Sequence, residues 1–114
     1  MTITMQEAVL RFFDDLDEEV SRERLERIAE ALRPFFEYLE QQNVASVADL
    51  NMDHIETFLV ELAPVRLSAA RDRRDAWHSV KRFIVWVGRR CGAKDLAAAF
   101  GRREEHLRWV LLGK

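Results

Sequence analysis

The alternation of apolar and polar residues between Ser68 and Gly92 follows the period of an α-helix. At 3.6 residues per turn one side of this segment gathers the apolar residues Ala76, Trp77, Val80, Phe83, Ile84, Val87 and Cys91. The opposite side gathers the basic residues Arg71, Arg74, His78, Lys81, Arg82 and Arg89. The pattern predicts one long helix, the fourth of the chain, that buries its apolar side and shows a basic stripe to solvent.

Two earlier helices are predicted by the same spacing. Thr4 and Glu7 have the separation of a capping box at the start of the first helix, and the acidic run 14–19 is interpreted as its end. Ser21 is expected to cap a second helix that continues to about Asn43. Because its apolar period stays in phase past Pro34, we expect one kinked helix rather than two.

The rest of the chain also has helical signals, and strand signals are absent. Asn51 is expected to cap a third helix, which Pro64 should end at Ala63. Gly92 should close the fourth helix. A short helical piece to Phe100 and a final amphipathic segment should follow. The sequence therefore predicts an all-α fold: a bundle of four main helices in a domain over 1–92, and a helical extension over 93–114 packed on it or on a partner.

The distribution of charge along the chain is uneven, although the formal net charge is only −2. Positions 1–63 carry 15 acidic residues against 5 basic ones, whereas positions 64–114 carry 13 basic residues against 5 acidic ones. A basic half of this kind favours a polyanionic partner such as nucleic acid or a membrane surface. The alternative is that the charges only keep a helical protein in solution.

The sequence lacks the motifs that are typical of several functional classes. The three histidines have no partners at metal-ligand spacing, no glycine-rich phosphate loop is present, and the acidic pairs lie in charge-dense stretches. We therefore expect no metal, no cofactor and no catalysis. Cys91 is the single cysteine, and no window approaches the 18 or so apolar residues of a membrane span. The expectation is a cytoplasmic protein with no membrane partner.

Three segments in order resemble the N-terminal core-binding domain of tyrosine recombinases, the phage integrase family. The first is the end of the second helix, with Leu32, Phe35, Tyr38 and Leu39. The second is the segment with Leu50, Asn51, Asp53, Ile55, Phe58 and Leu59. The third runs from Ser68 to the block Phe83, Ile84, Trp86 and Val87. The resemblance covers about 6–92.

This resemblance implies a SAM-like helical bundle that grips one side of a double-stranded DNA site. It implies DNA contacts from Ser68, Arg71, Arg74, His78 and Lys81, to which the basic stripe adds Arg82 and Arg89, and a second contact from Ser21, Arg22 and Arg24. The catalytic residues of the family are an arginine, a His-x-x-Arg motif and a tyrosine. They do not follow the three matching segments here, so we expect DNA binding without cleavage. The chain is then either a fragment of a longer recombinase or a stand-alone relative, and a recombinase catalytic domain is a possible partner.

A helical protein-interaction or oligomerisation module is the alternative function. Its acidic half could meet the basic half of a second copy. The C-terminal segment around Phe100, Trp109 and Leu111 could instead dock on a neighbour or on its own core.

Overall fold

The computed structural model describes residues 3–114, which form helices joined by short connections. The main helices are α1 (Met5–Glu19), α2 (Arg22–Gln41), α5 (Ala70–Arg90) and α6 (Lys94–Leu112). Between α2 and α5 lie a 3-10 turn (Val47–Asp49), α3 (Met52–Glu56), a π-helical segment (Thr57–Leu62) and α4 (Ala63–Arg66). Within the described residues no strand forms beyond one isolated bridge between Thr4 and Ser46. The all-α prediction is confirmed.

The predicted helix starts are confirmed where a side chain caps the helix. Thr4 Oγ1 accepts a hydrogen bond from the Glu7 amide, and Ser21 Oγ accepts one from the Arg24 amide. The Glu7 side chain accepts from Arg11, so Thr4 caps the helix without the reciprocal bond of a capping box. Asn51 and His54 exchange side-chain and backbone hydrogen bonds at the start of α3. Each of these bonds satisfies a backbone donor that the first helical turn leaves free.

One core unites the four main helices. Phe83 of α5 stands at its centre, with its ring 5.2 Å from that of Phe12 on α1 and 5.1 Å from that of Phe36 on α2. On the other side of α5, Trp77 stacks on Phe100 of α6 at 5.7 Å. The buried residues of all these helices, Leu107 and Leu111 of α6 included, form a single cluster. The C-terminal helix thus packs on this chain's own core.

Two predicted breaks, one in α1 and one in α6, are wrong. The acidic run 14–19 is helical, and the break falls at Val20 and Ser21, because Leu16 of that run is buried and holds the turn in the core. The last segment is one helix, since Gly101 does not interrupt α6. A single glycine costs a helix interior only about 1 kcal/mol, which packing on α5 can offset.

Pro64 does not end the helical path at Ala63, contrary to the prediction. The chain widens into a π-helical turn before it, where the Ala63 amide donates to the Phe58 carbonyl five residues back. Pro64 then occupies the first turn of α4, where its missing N–H and fixed φ are tolerated. Pro34 also lies inside a helix, and α2 continues through it as one element, as predicted.

Candidate nucleic-acid interface

The helix predicted as the fourth is α5, and its N-terminal end differs from the prediction. The helix begins at Ala70, so Ser68 precedes it and is exposed, and Ala69 at the N-cap offers no side-chain acceptor. The connection is held instead by Arg73, whose Nε donates to the Leu67 carbonyl at 2.6 Å. Because α4 ends only at Arg66, the residues 67–69 serve as an extended link. Ser68, where the sequence predicted the fourth helix to begin, therefore lies in the connection before it.

The predicted apolar side of α5 is confirmed as buried, except for Cys91, which follows the helix and is half-buried. Val80, Phe83, Ile84 and Val87 have no exposed surface, and Trp77 has 2%. Burial of this side fixes the rotation of α5 about its axis. The basic stripe consequently faces outward.

The start of α2 lies beside the middle of this stripe. A groove of about 540 Å³ lies between α1, the N-terminal turn of α2 and α5. We name it the basic groove, and define it by its cationic and histidine side chains: Arg24, His78, Lys81, Arg82 and Arg89. Val85, Trp86 and Phe12 line its apolar part, and Asp15 and Glu19 of α1 line its acidic edge. Four formal positive charges therefore face two negative ones.

Two cations of the basic groove make ion pairs within the chain. Lys81 Nζ lies 2.9 Å from Glu104 Oε2 of α6, and Arg82 Nη2 lies 3.2 Å from Glu19 Oε2 of α1. All four side chains are at least 31% exposed. Ion pairs of this exposure contribute about 0–1 kcal/mol, so a polyanion can compete for their cations.

Within residues 3–114, Arg24 and Arg89 make no ion pair, and both are exposed. Arg74 is likewise exposed and forms no ion pair with any described carboxylate. It lies one helical turn before His78 on the same side of α5. These three guanidinium groups are available to an external anion without displacing an internal one.

Arg71 has different surroundings from the rest of the stripe. It lines a groove of about 530 Å³ with Arg27 and five carboxylates, those of Glu23, Glu26, Glu30, Asp72 and Asp75. The outward acidic residues of α2 supply three of the five. A negative potential there disfavours a phosphate. The structure thus separates Arg71 from the cations of the basic groove.

The structure brings together only part of the second predicted DNA contact, which comprises Ser21, Arg22 and Arg24. Ser21 Oγ is already the acceptor that caps α2, and Arg22 Nε lies 3.7 Å from Glu26 Oε1. Since Arg22 and Arg24 are two residues apart, their side chains leave the helix about 160° apart. Arg24 faces α5, and Arg22 does not line the basic groove.

Sequence reasoning missed Arg27. It lies one turn after Arg24 on the same flank of α2, and Arg27 Nη2 is 3.4 Å from Asp75 Oδ1 of α5. The three-residue spacing of Arg24 and Arg27 was the available signal. The outward glutamates of α2 concealed it, because they made the whole helix look acidic.

Other kinds of site leave no trace in the part of the chain that the structure describes. No group of three or more His, Cys, Asp or Glu side chains there could hold a metal ion. Among the same residues, no helix has the length and apolar character that crossing a membrane requires. Comparison of the chain with family models, with curated proteins and with solved structures finds no significant match.

Proposed function

We propose that this protein binds double-stranded DNA through the basic groove and the adjoining Arg74. The observation that carries the proposal is the meeting of Arg24, from α2, with His78, Arg82 and Arg89, from α5, along one groove. Two separate helices supply these groups. A surface built only to keep one helix in solution has no need of this convergence.

The geometry suits a rod-shaped polyanion. The stripe from Arg74 to Arg89 spans 15 residues, or about 22 Å of helix. Duplex DNA carries one phosphate per about 1.7 Å of axis, so several phosphates come within reach of this length. Burial of the opposite side of α5 holds the cations in place before binding, which lowers the entropy lost on association.

The resemblance to the core-binding domains of tyrosine recombinases supports the same role. In this proposal the chain grips the duplex and does not cut it, and strand exchange belongs to a recombinase catalytic domain. The proposed setting is the cytoplasm. The order of the three matching segments supports this assignment, and α5, the helix that carries the last segment, bears most of the basic groove.

The test is a fluorescence anisotropy titration of a labelled duplex across a range of salt concentrations. We expect the logarithm of the binding constant to fall linearly with the logarithm of salt, with a slope of about −0.9 per neutralised phosphate. The triple variant Arg24→Ala, Arg82→Ala, Arg89→Ala should bind at least tenfold more weakly at low salt. Its slope should shrink by about two to three.

A matched control has the same change in net charge. The triple variant Arg11→Ala, Arg33→Ala, Arg103→Ala removes three exposed arginines that pair with Glu7, Glu30 and Glu56. It should bind DNA almost as the unmodified chain does. Absence of duplex binding at low salt, or equal losses in the two triple variants, would contradict the proposal.

Self-association is a second candidate, favoured by Trp109. This side chain is 61% exposed on α6, although Phe100 and Leu111 of the same helix are buried. Tryptophan is enriched among the residues that contribute most of the binding energy at protein interfaces. Light scattering at two concentrations tests it: a monomer at both concentrations excludes this candidate, and a dimer that Trp109→Ala abolishes supports it.

A further inference from the structure

We propose that the cavity between α2 and α5 is a binding site for a single phosphate group. The cavity, of about 240 Å³, is separate from the basic groove, although it shares some side chains with it. Its cationic side chains are Arg24 and Arg27 of α2 and Arg82 of α5. The inference rests on the proposed function, because it takes the phosphate from the backbone of bound duplex DNA.

The charge of this cavity sets it apart from its neighbour along the same two helices. Three guanidinium groups face one carboxylate, that of Asp75, and His78 adds an imidazole. The adjoining groove around Arg71 shares Arg27 and Asp75 with the cavity, and it has five carboxylates against two guanidinium groups. An anion approaching α2 and α5 is therefore attracted to one position and repelled from the next.

The cavity has the size and the donors that a phosphate requires. Water occupies about 30 Å³ per molecule in the liquid, so 240 Å³ accommodates a tetrahedral oxyanion with some of its water. Guanidinium groups donate in a planar fork that matches phosphate oxygens. Ser79, which is 4% exposed, adds a hydroxyl side chain to the wall.

Two of the arginines are held by weak internal pairs. Arg27 Nη2 lies 3.4 Å from Asp75 Oδ1, and Arg82 Nη2 lies 3.2 Å from Glu19 Oε2. The shortest pairs in the described chain, such as that of Arg33 with Glu30, measure 2.6 Å. Strong charge-assisted hydrogen bonds measure about 2.7–2.9 Å. The carboxylates of Asp75 and Glu19 thus orient the two guanidinium groups. A phosphate can replace these carboxylates at little cost in free energy.

Arg24 completes the site from the first turn of α2. Its amide donates to Ser21 Oγ, which fixes the turn, and its guanidinium forms no ion pair with any carboxylate of residues 3–114. The N-terminal end of a 20-residue helix adds a partial positive charge at this position. One free arginine and two displaceable ones converge on the cavity.

A substitution of Arg27 tests this site independently of the basic groove, since Arg27 lines the cavity and not the groove. In the full chain, Arg27→Ala should weaken binding of a short duplex about fivefold to tenfold and reduce the salt slope by about one. Asp75→Asn removes the competing carboxylate and should strengthen binding at least threefold. The control is Arg33→Ala, which removes an arginine of the same helix that is 63% exposed and pairs with Glu30.

A second titration uses inorganic phosphate and follows the ring resonances of His78 by NMR, with chloride at equal ionic strength as the control. Saturable shifts that Arg27→Ala abolishes support the site. If the chain binds the duplex but Arg27→Ala matches Arg33→Ala and phosphate gives no saturable shift, the inference is overturned and the proposed function stands. If the duplex does not bind, the proposed function fails, and a saturable phosphate response then assigns the cavity to free phosphate. No response to either probe overturns both.

Discussion

Gly88 of α5 and Ala97 of α6 are so close that a methyl group on Gly88 would lie 2.5 Å from the Cβ of Ala97. Carbon atoms at optimal separation are about 3.5–4.0 Å apart. Gly88 is buried in the last turn of α5, and glycine inside a helix is otherwise less favourable than alanine. The close approach of α6 explains why position 88 is a glycine. The same approach brings Phe100 onto Trp77 and Glu104 beside Lys81.

Gly88→Ala should therefore destabilise the protein by about 1–3 kcal/mol, because the added methyl group overpacks the contact between α5 and α6. Urea unfolding followed by circular dichroism measures this. Gly101→Ala is the matched control, since an added Cβ at Gly101 of α6 would meet nothing within 4 Å beyond its own helical turn. This substitution should stabilise by roughly 0.5–1 kcal/mol. The double variant Gly88→Ala, Ala97→Gly should recover part of the loss. Equal effects of the two glycine substitutions would contradict the explanation.

The aromatic centre of the core should be sensitive to truncation. Phe83 is fully buried and contacts rings from α1 and α2, so Phe83→Ala should cost about 3–5 kcal/mol. Val85, two residues later on the same helix, is 48% exposed, and Val85→Ala should change stability by no more than about 0.5 kcal/mol. Thermal unfolding of the two variants compares them directly. Similar melting temperatures would show that α5 does not pack as described.

Glu104 should restrain DNA binding by holding Lys81. Glu104→Gln breaks the 2.9 Å ion pair at a stability cost of about 0.2–1 kcal/mol. It should raise duplex affinity about twofold to fivefold at low salt and steepen the salt slope by up to about one. Glu105→Gln changes the net charge equally at an exposed neighbouring position, so it separates the local effect from the global one. Equal gains in the two variants would leave Lys81 without a specific role.

Cys91 should make the protein less stable at alkaline pH. Burial raises the pKa of its thiol above the ordinary value of 9.0, and the charges of Arg11 and Arg90 oppose this rise only in part. The folded state therefore holds the thiol proton more tightly than the unfolded state. The resulting stability is fully present below about pH 9 and is lost as pH rises through the folded pKa.

The measurement is urea unfolding at pH values from 7 to 10.5. Cys91→Ala should lose less stability over the alkaline part of this range than the unmodified chain, and the two should be parallel below pH 8. Alkylation of the folded protein by iodoacetamide at pH 8 should also be slower than alkylation of the unfolded chain. Parallel stability curves up to pH 10.5 would refute this account.

Local physical chemistry made most of the helices predictable. Cap residues such as Ser21 and Asn51 act within one turn, and the apolar period of α5 identified its buried side. The failures occurred where packing outweighed local preference. Leu16 keeps the acidic run of α1 helical, and contact with α5 carries α6 through Gly101. Pro64 is accommodated by a wider π-helical turn, which local propensity does not anticipate.

By itself, the sequence determined the all-α fold, the buried and exposed sides of α5 and the basic character of its stripe, because these depend on helical period and composition. Only the tertiary structure decided which cations act together. It placed Arg24 and Arg27 beside α5, surrounded Arg71 with carboxylates, and paired Lys81 with Glu104. The reason is that helix packing sets distances between residues that are remote in the chain, and electrostatic interactions depend on those distances.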